Sequence, residues 1–204
     1  MKYFGTYDYH NSGCLYEGEM ENGVAEGKGT LFFPGKYGTP LYVGYFHKGK
    51  RHGEGILFLE DGKTKCYEGE WNQDSIEGTG IMFWGDGVTP SYKGTFKNGN
   101  CEGYGIVFNQ DGKVGYAGEF HESEFHGNGT VFRDGEKLFE RIFSLGMMTY
   151  GAIFHNGLKV YDGMLPPTAE GIVNENVPIN RRKEISDFVL ACYIHNLKGL
   201  QKTN

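Results

Sequence analysis

The chain has 204 residues and 34 glycines against only 6 prolines. That glycine content is more than twice the usual ~7%, yet it lacks both a collagen period and a Pro-rich disordered composition. Aromatic residues make up 15%, mostly 14 Tyr and 15 Phe, which supplies the burial that disordered chains lack. The formal net charge of -6 opposes nonspecific attachment to nucleic acid or anionic lipid, both of which depend on clustered Lys and Arg.

In chain order, the start Met1-Lys2-Tyr3-Phe4-Gly5 lacks the apolar core of a signal peptide, and no apolar run approaches the ~20 residues of a membrane span. The expectation is a soluble, cytoplasmic protein. Cys14, Cys66, Cys101 and Cys192 are widely separated and form no C-x-x-C pair, so disulfides and a zinc site are not expected.

A period then dominates the chain. An aromatic-x-Gly triplet begins at Tyr16, Tyr42, Tyr67, Tyr92 and Tyr116, and Gly-x-Gly follows eleven residues later each time, at Gly27, Gly53, Gly78, Gly103 and Gly127. A phenylalanine stands sixteen residues after each tyrosine, from Phe32 to Phe132, and the fifth position holds Met20, Phe46, Trp71, Phe96 and Phe120. Tyr67-Glu68-Gly69-Glu70-Trp71 alternates with period two, so Tyr67, Gly69 and Trp71 fall on one face of a strand. Asn22-Gly23, Lys48-Gly49 and Asn98-Gly99 supply the positive φ of tight hairpin turns, while Asp61-Gly62, Asp86-Gly87, Asp111-Gly112 and Asp134-Gly135 reverse the chain into the next unit. The predicted pairing sets Trp71 opposite Gly78, Gly69 opposite Gly80 and Tyr67 opposite Met82, with large rings over bare backbone.

Tyr67-Glu68-Gly69-Glu70-Trp71 followed by Gly78-x-Gly80 resembles the MORN repeat, the membrane occupation and recognition nexus. The resemblance covers five units over residues 16–138, preceded by a half-repeat in 1–15 with Thr6–Tyr9 as its strand. Residues 139–165 hold a degenerate unit, in which Arg141 replaces a glycine, and a partial strand opened by Tyr161-Asp162-Gly163. The expected fold is all-β, a single-layer antiparallel meander or β-solenoid, with one α-helix near the C-terminus. That helix is predicted over Arg181–Leu197, after a polar linker that begins at Pro166-Pro167. It caps the sheet edge, fills the repeat groove or pairs with another subunit.

Catalytic chemistry finds no footing in the sequence. None of the Gly-x-Gly pairs continues as G-x-G-x-x-G between a strand and a helix. His52 and His126, like His47 and His121, share repeat columns three units apart, on the order of 30 Å at the ~4.8 Å strand spacing, which is too far for one metal. Glu17, Glu19, Glu68, Glu70 and Glu119 are predicted to form a solvent face rather than an acid/base pair. No enzyme, cofactor, metal or nucleic acid is expected. The resemblance implies a stand-alone scaffold of the cytoskeleton or cilium. The aromatic face lined by Tyr42, Phe46, Tyr67, Trp71, Tyr92, Phe96, Tyr116 and Phe120 is expected to serve structure first, its rings packed on each other and on the glycines, with the exposed edges forming a groove for a helix or extended peptide. A peripheral membrane protein recognising acidic phospholipids is the alternative, and a homodimer stays open.

Overall fold

The computed structural model describes residues 1–144, 147–155 and 157–164. The helix predicted over 181–197 and its linker lie outside the described residues. Fourteen strands follow one another: β1 (Lys2–Tyr9), β2 (Cys14–Glu21), β3 (Val24–Phe32), β4 (Pro40–His47), β5 (Lys50–Phe58), β6 (Lys65–Asn72) and β7 (Ser75–Phe83). Then come β8 (Pro90–Lys97), β9 (Asn100–Phe108), β10 (Val114–His121), β11 (Glu124–Arg133), β12 (Glu136–Ser144), β13 (Met147–His155) and β14 (Leu158–Met164). They form a single open sheet in strictly sequential order, the all-β meander expected. By its contacts the chain divides into a first unit, residues 1–113 with 120–123, and a second, residues 114–119 with 124 onward.

The hairpin tips are built as their residues require. Asn22 and Gly23 have φ of 52° and 82°, Lys48 and Gly49 50° and 77°, and Asn98 and Gly99 51° and 83°. Two consecutive positive φ values give the turn twist that flanking strands favour.

In each full hairpin of the first unit the glycines face one another, Gly69 opposite Gly80, and Tyr67 stands opposite Met82. One element of the expected register is corrected. Trp71 pairs with Ile76 rather than Gly78, because a bulge sets Glu77, Gly78 and Thr79 opposite the single residue Glu70. The glycine that Trp71 does face is Gly53 of the preceding hairpin. Gly78 carries the bulge at φ 70°, a left-handed conformation that glycine adopts without strain.

The first unit keeps its core on one side of the sheet, where Tyr16, Tyr42 and Tyr67 are fully buried and Phe46, Trp71 and Phe96 nearly so. The second unit has a core of Tyr116, Leu138, Phe139, Phe143, Ala152 and Ile153.

Candidate partner-binding faces

The tyrosines seal one face of the first unit. A Cβ added to Gly80 would stand 2.5 Å from Cε2 and 2.6 Å from Cζ of Tyr67, so the ring lies across backbone that only glycine leaves bare. The Tyr67 hydroxyl then donates to the Glu70 carbonyl at 3.0 Å, and Tyr42 and Tyr92 repeat the bond to Tyr45 and Thr95, each at 3.1 Å. Desolvation by burial pushes all three hydroxyls well above the usual phenol range. Each tyrosine also meets the ring of the next repeat edge to face: Tyr42 to Trp71 at 5.2 Å, Tyr67 to Phe96 at 5.4 Å and Tyr92 to Phe120 at 5.2 Å between centroids. With the contacts inside each repeat, Phe46 to Tyr42 and Trp71 to Tyr67, they make an unbroken zigzag of rings. Burial of each ring contributes roughly 1.5–3 kcal/mol, which outweighs the ~1 kcal/mol cost of glycine within a strand.

All eight residues expected to line a groove are therefore placed in the chain's own packing. Tyr42, Phe46, Tyr67, Trp71, Tyr92, Phe96 and Phe120 of the first unit, and Tyr116 of the second, are 0–5% exposed. Tyr116 stacks on Phe125 at 3.8 Å and donates to the Glu119 carbonyl. A partner approaching these residues meets ring edges at most.

The opposite face of the first unit is open. Alternation puts Val43, Tyr45 and Tyr104 there, 39%, 44% and 62% exposed. Two troughs mark it: one of about 540 Å³ lined by Phe4, Glu17, Lys28, Thr30, Val43 and Tyr45, and one of about 420 Å³ lined by Glu54, Glu68, Thr79, Ile81, Lys93 and Tyr104. Exposed tyrosines beside mixed charges suit a peptide surface better than a phosphate-rich one.

Not every acidic residue on this face is merely solvated. Glu70 accepts from the backbone N–H and hydroxyl of Thr79 and so ties down the bulge. Those bonds, the hydroxyl's first, hold its carboxyl below the usual range. Glu119 does the same for Asn128 in the second unit. Spacing alone gave no sign of this, since the bond needs the bulge that alternation does not encode.

The hairpin tips of the first unit are laced together by contacts the sequence did not announce. Gly49, Asp74, Gly99 and Ser123 each donate a backbone N–H to the preceding hairpin, to Ala25, Arg51, Ile76 and Cys101 in turn. Glu26 accepts from the Lys48 N–H and pairs with His47 at 3.0 Å, while Glu102 accepts from the Glu122 N–H and pairs with His121 at 3.2 Å. The backbone N–H first, and the histidine second, hold both carboxyls below their ordinary value. Two tips lack the expected glycine: Gln73-Asp74 at φ 52° and 71°, and Glu122-Ser123 at 51° and 69°. At these tips the strained residue is retained with a side chain that reaches back. Asp74 accepts from the Arg51 N–H at 3.0 Å and Ser123 from the Cys101 N–H at 3.1 Å. The departure from Asn-Gly was the available signal.

His47 and His52 approach across one hairpin, with ring centroids 5.5 Å apart. No group of three or more metal-ligating side chains is assembled among the described residues, and no helix among them is long and apolar enough to cross a membrane.

Compared with known families, the chain matches the MORN repeat over residues 16–36, 42–64, 67–89, 92–113 and 116–137, more than half of its length. It matches none of the curated proteins with which it was compared. The five matched segments begin at the five roofing tyrosines.

Proposed function

The chain belongs to the MORN-repeat proteins, and from that premise we propose that it is a non-enzymatic scaffold holding a protein partner, a helix or extended peptide, along its repeats. MORN repeats are in general non-catalytic modules that bind proteins or membranes. The observation that carries the protein reading is the contrast between the faces of the first unit. One is closed by its own rings, and the other offers Val43, Tyr45 and Tyr104 beside troughs wide enough for side chains.

The eight aromatic residues enter this proposal as the frame that fixes strand spacing, with their edges as the contact for a partner on that side. The cytoplasm, at a cytoskeletal or ciliary assembly, is the proposed location, on the strength of the resemblance. A net charge of -6 weighs against acidic phospholipid as the ligand.

Capture of partners by the wild type, by a Tyr45→Ala plus Tyr104→Ala variant and by a Trp71→Ala plus Phe96→Ala variant, each checked for folding, tests the reading. Loss in the first variant supports the open face, and loss in a folded second variant supports the ring edges. Unchanged partners in both folded variants would end the proposal, as would flotation with phosphoinositide vesicles that persists in high salt.

A further inference from the structure

The first and last strands of the sheet are halves of a repeat, and they are opposite halves. β1 pairs with β2 as the second strand of one repeat pairs with the first strand of the next. Gly5 faces Gly18 and Tyr7 faces Tyr16, as Gly55 faces Gly69 and Leu57 faces Tyr67. β14 pairs with β13 as a first strand does. Gly163 faces Gly151, Tyr161 faces Ile153 and Lys159 faces Phe154, the places that Gly69, Tyr67 and Lys65 hold in β6. β1 is thus a second strand without its first, and β14 a first strand without its second. Among the described residues no strand pairs with the outer edge of either.

The incompleteness shows at Gly5. Second-strand glycines elsewhere in the first unit lie under the tyrosine of their own first strand, Gly80 under Tyr67 and Gly105 under Tyr92. The nearest atoms to a Cβ added at Gly5 are instead Met20 Sδ at 2.6 Å and the ring of Tyr3, from its own strand, at 3.3 Å. Met20 is the one flexible thioether in a column otherwise held by Phe and Trp. Nor is the edge of β1 protected. Tyr3 and Phe4 are 48% and 69% exposed, the register with β2 runs without a bulge, and residues 3–7 carry no charge and no proline. Edges that stay single are blunted by those devices, so a flat aromatic edge strand of eight residues is a template for another strand.

We propose that β14 of one copy adds to the outer edge of β1 of a second copy and completes a repeat hairpin between chains. The closed hairpins give the register. Tyr67 faces Met82 and Gly69 faces Gly80, so Tyr161 faces Tyr7 and Gly163 faces Gly5 across the junction. A second copy is the occupant because the edge calls for an aromatic-x-Gly strand, and Tyr161-Asp162-Gly163 is that triplet, in a strand whose own outer edge is unpaired among the described residues. The backbone ladder that runs from β1 to β14 then continues from copy to copy. Pairing β1 with β1, or β14 with β14, would set like half against like half and leave Gly5 without a tyrosine. The junction is therefore heterologous, and copies add head to tail. It uses the edges of the sheet and leaves its faces to the partner of the scaffold reading.

Light scattering from the full chain over a concentration series reads the junction. Average mass should rise with concentration above that of the monomer. In the stated register Asp162 faces Thr6 and lies diagonal to Phe4, so Phe4→Glu plus Thr6→Glu sets like charges together and should raise the concentration required by about tenfold. Adding Asp162→Lys should restore association. Phe4 and Thr6 are exposed, and circular dichroism checks that the variants fold. Should the double variant fail to fold, Thr6→Glu alone should raise the required concentration by about threefold, with the same rescue. A monomer at every concentration up to about millimolar overturns the proposal. So does association that ignores the glutamates, or that Asp162→Lys fails to restore, which is the behaviour of a dimer through two β1 edges. No partner is present in these solutions, so the outcome is separate from that of the scaffold reading.

Discussion

Hairpin β6–β7 and hairpin β12–β13 answer the same problem in opposite ways. In the first, Tyr67 crosses a facing pair of glycines, Gly69 and Gly80, and anchors its hydroxyl on the Glu70 carbonyl. In the second, Phe139 takes the ring position and Arg141 one of the glycine positions, opposite Gly151. Arg141 is 3% exposed, its guanidinium 4.9 Å from the Phe139 ring, and its Cγ would stand 2.9 Å from a Cβ on Gly151. The side chain that covers Gly151 is thus arginine where in β6–β7 it is tyrosine. Glycine in this column is demanded by what lies across it, the backbone of the paired strand together with the side chain laid over it.

The largest test of that view is Gly80→Ala. Gly80 has no unusual backbone conformation, so the penalty is purely steric, and the Tyr67 ring is too enclosed to yield. Urea unfolding should show a loss of about 3 kcal/mol, whereas Gly85→Ala, with open space around its Cβ, should be near neutral. Next comes Arg141→Gly, which restores the glycine that five other units carry. If glycine were favoured for its own sake, the change would stabilise. On the present view it removes buried stem packing over Gly151 and costs about 2 kcal/mol. Tyr67→Phe keeps the ring and loses only the bond to Glu70, so about 1 kcal/mol should suffice, and a cost near that of Gly80→Ala would mean that the hydroxyl rather than the ring governs the column.

The ring-over-glycine arrangement was legible in the sequence because two columns, Tyr67 with Gly69 and Gly78 with Gly80, fix parity and period together. Tight turns were legible at Asn22-Gly23 and Asn98-Gly99, where composition names the φ values. Three features were not. The bulge opposite Glu70 falls at Gly78, a glycine read as bare backbone beneath a ring rather than as a bulge, so Trp71 was set opposite the wrong neighbour. Packing of the groove residues on each other was expected, but how completely they are buried depends on how rings of successive repeats interlock, and no single repeat shows that. Nothing in the sequence marks Asp74, because its partners Arg51 and Tyr9 lie 23 and 65 residues away.

Smaller and spread over many sites is the response to acid. Hydrogen bonds hold Glu26, Glu70 and Glu102 below their ordinary 4.5, and Asp61, through the Thr64 hydroxyl and backbone, falls from 3.8 to about 2. At Asp74 burial pushes upward, but bonds from Tyr9 and Arg51 outweigh it. A carboxyl whose folded pKa is lowered contributes stability that is complete above its unfolded value and is lost as pH falls through the folded one. The urea midpoint should therefore hold from neutral pH down to about 4.5 and decline between there and about 2. Glu70→Gln should flatten part of the decline, and a midpoint indifferent to acid would contradict these bonds.

The smallest effect separates the two uses of glycine. Gln73 sits at φ 52° in an exposed tip, a conformation that costs an L side chain and that Asn22 and Asn98 occupy more comfortably at the same position. Gln73 is exposed, so Gln73→Gly should relieve strain and stabilise by about 0.5 kcal/mol, seen as a rise in the thermal midpoint. At Asp74, one residue on, φ is also left-handed, yet Asp74→Gly should destabilise, because the same relief is exceeded by losing the carboxylate that holds Arg51 and Tyr9. If both substitutions stabilised, backbone strain alone would govern the tip, and the reach of Asp74 to its distant partners would count for nothing.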